Sequence, residues 1–138
     1  MSRKTTSRIE QEMYDALEHF FDGKISGAFY PSDCRPADSV VEDAVLTVSN
    51  ATAEQVQDGV ARVNIYVPDI DNGSGRPVPD KDRLTELSDL GEKIIDALNA
   101  ADTDYEFDLA KATETINAEE IKQHFVNITI EFKHITFN

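Results

Sequence analysis

An α+β fold, with a mainly antiparallel sheet of four to five strands and two helices packed on one of its faces, is the architecture this sequence predicts. Three stretches carry the prediction. In Val60-Ala61-Arg62-Val63-Asn64-Ile65-Tyr66-Val67, apolar and polar residues alternate, the period of a strand with one buried and one wetter face. Between Leu84 and Leu98, Leu84, Leu87, Leu90, Gly91, Ile94, Ile95 and Leu98 fall on one side of a helix, and Asp82, Glu86, Asp89, Lys93 and Asp96 on the other. Val126, Ile128, Ile130 and Phe132 then alternate with Asn127, Thr129, Glu131 and Lys133, a second half-buried strand reaching toward Phe137. At 138 residues the chain is the size of one domain, 1–138, long enough to bury a core without staples.

Taken in order, Ser7-Arg8-Ile9-Glu10 fits a capping box, so a helix is expected to start there and bury Ile9, Met13, Ala16, Leu17 and Phe20, with Gly23 as its stop. Gly23 to Pro31 reads as a loop with a short edge strand, and Pro31 with Pro36 makes the next segment irregular. Glu42 to Ser49 is a strand by its β-branched and apolar content. The short polar link Asn50 to Gln55 predicts that it pairs as an antiparallel hairpin with the strand ending at Pro68. Asp69 to Pro79 is a long exposed loop, Leu84 to Leu98 one continuous helix, and Tyr105 to Leu109 a strand. Ala110 to Glu120 is polar, a hairpin arm or loop. The helices cover one face of the sheet, leaving Arg62, Asn64, Tyr66, Asn127, Thr129, Glu131 and Lys133 on the other, suited to water or to a partner sheet.

Composition argues against several functions. The formal charge is −14, and between Asp80 and Asp108 ten acidic residues face three basic ones, which disfavours sequence-specific binding to the outside of nucleic acid. No apolar run nears the roughly 20 residues of a membrane helix, and Met1 to Ser7 carries no apolar signal core, so a cytoplasmic protein without membrane contact is expected. Cys34 is the single cysteine and reads as an ordinary loop thiol beside Asp33 and Arg35. His19 sits near a helix end as a surface imidazole, whereas His124 and His134 are ten residues apart on one strand, too far for one metal at about 3.4 Å per residue. The loop with Asp69, Asp71, Asn72 and Gly73 fails the calcium pattern, because glycine stands one position early and no glutamate closes it. Gly75-Arg76-Pro77 likewise lacks the lysine of a phosphate loop. No catalytic residue, cofactor or metal is therefore expected, and the reading is not an enzyme.

The layout resembles a known family. The strand Val60 to Pro68 with its loop, the helix Leu84 to Leu98 and the closing strand Phe125 to Phe137 look like the tail terminator and tail-completion (neck) proteins of long-tailed bacteriophages and prophages. The stretch from Tyr30-Pro31-Ser32-Asp33-Cys34-Arg35-Pro36 through Val63 to Ile70 is similar to small proteins of such elements. The resemblance implies a non-enzymatic structural protein of virion assembly, made in the host cytoplasm and carried in the virion tail. It would form a homo-oligomeric, hexameric ring that caps the tail tube, meets the head connector and lets DNA pass. Such a ring needs self-complementary edges and loops, so Asp69, Ile70, Asp71, Asn72 and Arg76 in the first loop, and Thr113, Thr115 and Ile116 in the arm, are the expected subunit or partner contacts. The alternative is a small non-enzymatic ligand- or peptide-binding module working from the open face of the sheet.

Overall fold

A computed structural model describes residues 4–52, 56–101 and 104–135. Helix α1 spans Thr6–Leu17. The strands are β1 (Phe29–Tyr30), β2 (Ala44–Ala51), β3 (Val56–Pro68), β4 (Ile70–Asp71), β5 (Pro77–Val78), β6 (Tyr105–Leu109), β7 (Glu114–Ala118) and β8 (Gln123–Ile135). Two helices, α2 (Lys81–Ser88) and α3 (Leu90–Ala101), lie between β5 and β6.

The fold is α+β, but its sheet has six strands and is mixed. The order is β1-β2-β3-β8-β6, with β7 also on β8. Only β1 runs parallel to its neighbour, pairing Phe29 with Ala44 and Tyr30 with Val45. The expected hairpin is present: β2 pairs antiparallel with β3 from Ala44↔Ile65 to Ala51↔Gly59, with an irregularity between Val48 and Asn50. Its turn, residues 53–55, lies outside the described residues, as does the end of the closing strand at Phe137. The longest ladder joins β3 to β8 over thirteen pairs, from Val56↔Ile135 to Pro68↔Gln123. Beyond it, β6 takes the Ile130–His134 part of β8 and β7 takes the Gln123–Asn127 part.

Side-chain alternation on these strands puts Ala44 and Leu46, Ala61 to Val67 in steps of two, and Val126 to Phe132 in steps of two, on one face. That face forms a single core with Ile9, Met13 and Leu17 of α1, Leu84 and Leu87 of α2, and Leu90, Ile94, Ile95 and Leu98 of α3. Burial of such apolar surface, about 25 cal/mol per Å², is the main force holding helices to sheet.

Four local readings need correction. Helix α1 starts one residue before Ser7, with Thr5 as its cap: the Thr5 hydroxyl accepts the Arg8 amide at 3.1 Å, and no Ser7–Glu10 capping box forms. Replacing Thr5 with Ala should therefore cost about 1 kcal/mol in urea unfolding. The second predicted helix is broken at Asp89 into α2 and α3, so three α-helices stand among the described residues where two were expected. The stretch Asp69 to Pro79 is a small hairpin, with Ile70 opposite Val78 and Asp71 opposite Pro77. The Ala110–Glu120 segment is no projecting arm, because β7 is hydrogen-bonded onto the edge of β8. Gly91 lets α3 lie close to Leu109, at the end of β6, and to Thr113 beyond it: a Cβ there would sit 3.0 Å from Thr113 Oγ1.

Candidate interaction face and sheet edges

The face of the sheet turned away from the helices is graded along its strands. Ile116, Phe125 and Tyr66 form one cross-strand row, with Ile116 exposed and the Tyr66 and Phe125 rings 5.0 Å apart. The next row holds Glu114, Asn127, Asn64 and Val45, and the one after it Thr129, Arg62 and Thr47. Asp108 then stands opposite Glu131, and Glu106 and Asp58 flank Lys133. This last end is hollowed into a shallow depression of about 710 Å³ lined by Asp58, Glu106, Asp108, Glu131 and Lys133.

The middle rows break an ordinary rule of folded proteins. Asn64 Oδ1, Asn127 Oδ1 and Thr129 Oγ1 are buried and have no hydrogen-bond partner among the described residues. Asn127 and Thr129 are only 7% and 6% exposed. Buried polar atoms are almost always paired, and leaving one unpaired costs about 1–3 kcal/mol.

The apolar end is fixed by a polar hub that sequence reading missed. Asp43, 1% exposed, accepts the Ala28 amide on Oδ1 at 2.9 Å, and the Arg35 Nε (2.8 Å) and Ser39 hydroxyl (2.5 Å) on Oδ2. Arg35 also donates to Gln123 Oε1 at 2.9 Å, and Gln123 Nε2 donates to the Ser39 carbonyl at 2.8 Å. The guanidinium lies 4.2 Å from the Tyr66 ring centre, so the Pro31–Val41 segment is clamped over this end of the sheet. Burial by itself would raise the Asp43 carboxyl, but the bonds from Ser39, Ala28 and Arg35 outweigh it and hold the group below its ordinary value. Beside it, Arg83 forks onto both oxygens of Glu42 at 2.6 and 2.8 Å and holds that carboxyl low as well.

The expected contact residues are spread over two places. Ile70, Asp71, Asn72 and Arg76 are exposed on the β4–β5 hairpin, while Asp69 is drawn inward and bonds His124 Nδ1 at 2.7 Å. Asp71 and Asn72 cap their own turn, accepting the amides of Gly73 and Ser74. Thr115 and Ile116 are exposed on β7, and Thr113 is half-buried near Gly91. No group of three His, Cys, Asp or Glu side chains placed to hold a metal occurs among the described residues. Among those residues no helix is long and apolar enough to cross a membrane.

Both margins of the sheet are open among the described residues. On one side β1 covers only Ala44 and Val45 of β2, leaving Leu46–Ala51 paired on β3 alone. On the other, β6 and β7 are bonded to β8 and to no further strand.

No family model matches this chain, and no curated protein is similar to it. One solved structure aligns over 99% of this chain and 99% of its own, at 14% identity and a TM-score of 0.46, a likeness too slight to argue from.

Proposed function

We propose that this chain is a structural morphogenesis protein of phage or prophage tails, closing into a ring that caps the tail tube and faces the head connector. The family resemblance gives the reading its content. Its structural support is the pair of open margins on opposite sides of one sheet: an edge of one copy laid against the opposite edge of the next is a heterologous contact, the kind that closes rings. The exposed Ile116 on β7 and Ile70 on the β4–β5 hairpin supply apolar contact beside the edges.

Native mass spectrometry over a wide concentration range tests it. A hexamer should grow in with concentration and should strengthen with added salt, because copies that each carry −14 repel one another until screened. Replacing Ile70 with Ser and Ile116 with Lys should leave a monomer that unfolds at the unchanged temperature, since both side chains are exposed. A chain that stays monomeric at every concentration and salt, and also on purified tail tubes, overturns the ring.

A further inference from the structure

We infer that the open face of the sheet is a docking surface for an extended, arginine-bearing segment of a partner protein. Its apolar residues would lie on Ile116 and Phe125, beside the Tyr66 ring that Arg35 already covers, and its cationic side chains over the middle and far rows. Two independent observations carry this. The three orphan atoms at the centre, sealed from solvent in the free protein, can all accept, two as amide carbonyls and one as a hydroxyl that can also donate, and a guanidinium that parts the side chains above them brings five N–H donors in one plane. Around and beyond them the face carries Asp58, Glu106, Asp108 and Glu131 against two cations, Arg62 and Lys133, while a fifth carboxylate, Glu114, is bridged to Lys111 at 2.6 Å.

Asp108 and Glu131 stand directly opposite one another, an arrangement that costs stability in a free sheet and is relieved by a cation between them. Arg62 is turned toward β2, where its Nη1 donates to Ser49 Oγ at 2.8 Å. A second copy of the chain is the wrong occupant, because it would bring the same acidic excess against itself.

Such a face trades stability for binding. Polar groups left unpaired in the free protein are costly there, and become useful when a partner's donors arrive. The inference shares Ile116 with the proposed ring contact but otherwise uses the face of the sheet, whereas ring formation uses its edges.

The experiment is a titration of the isotope-labelled full chain, followed by amide NMR signals, with two short synthetic peptides. They share a leucine-rich first half, and carry arginines or glutamates in the second. The arginine peptide should move the signals of Asn64, Asn127, Thr129 and Glu131, and should bind roughly tenfold more tightly than its glutamate twin, about the effect of one charge-assisted contact. In the Thr129→Val chain, and in the Asn127→Leu/Thr129→Val chain, binding should weaken several-fold while the melting temperature rises by about 2–4 °C, because orphan polar groups have been removed. Thr129→Val alone keeps the test decisive if the double variant fails to fold.

Three outcomes overturn the inference. One is no movement on this face at millimolar peptide, or movement confined to the helices. A second is unchanged binding by Thr129→Val, which would mean diffuse charge attraction. The third is movement on this face with protein concentration alone, which would mean that a second copy occupies it.

Discussion

The Asp43→Ala protein is expected to lose about 3–5 kcal/mol of stability in urea unfolding, because removing one member of a buried ion pair strands the other. The Arg35 side chain is only 11% exposed and would keep its charge with no carboxylate beside it. The Ala28 amide and Ser39 hydroxyl would lose their acceptor in the same step. Asp43→Asn keeps the shape and an acceptor for Ala28 but removes the charge, so its loss should be smaller. The same hub sets the response to acid. Asp43 titrates below its ordinary value of 3.8 in the folded state, so its contribution is complete above that value and disappears as pH falls through the lowered one. Glu42 and Glu12, both held below their ordinary 4.5, act in the same direction. Stability should therefore fall as pH drops below about 4.5, and the fall should be shallower in Asp43→Ala than in the parent. A parent protein equally stable at neutral pH and well below pH 3 would contradict this.

Gly27→Ala should be comparably damaging, at about 3 kcal/mol or more. A methyl group at Gly27 would overlap Asp43 Oδ1 and the Glu42 carbonyl, and the second of these is backbone that cannot swing away. The Gly27 amide also bonds that same carbonyl at 2.7 Å, so the two chains touch without room for any side chain. Separating them would pull the Ala28 amide from Asp43 and loosen β1 from β2. Thermal unfolding, with NMR signals from Phe29 and Tyr30 as a local probe, measures the loss. An alanine protein with parental stability would mean that this crossing is looser than described.

Those two sites were not legible in the sequence, for a physical reason. Asp43 meets partners four and eight residues back, and Arg35 reaches Gln123 across 88 residues. No periodicity records such a meeting. The long elements were legible because burial imposes a period: β3 and β8 alternate since one face must enter the core, and their open-face residues follow from that, whereas their thirteen-residue pairing does not. β7 escaped notice because Glu114 to Asn117 are exposed on both faces, so nothing forces alternation; it is a strand only because the edge of β8 offers hydrogen bonds. The break at Asp89 was invisible because Leu84, Leu87, Leu90 and Ile94 keep helical spacing across it. The exposure of Ile70, Asp71, Asn72 and Arg76 followed from the turn formers around them, whereas the inward bond from Asp69 to His124 depended on a strand 55 residues later.

The position of β8, last of the described strands yet lying between β3 and both β6 and β7, has a consequence for biosynthesis. A ribosome delivers α1 through β7 first, and at that stage β3 has one bare margin while β6 and β7 have no neighbour at all. The sheet closes only when the final strand has emerged and slid into its slot, matching thirteen residues of β3 in one register. Until then the nascent chain presents an apolar strand margin to its surroundings, the period in which chaperone capture or mispairing with another nascent chain competes with folding. Shortening the chain into β8 would thus remove the middle of the sheet and leave its margins unattached.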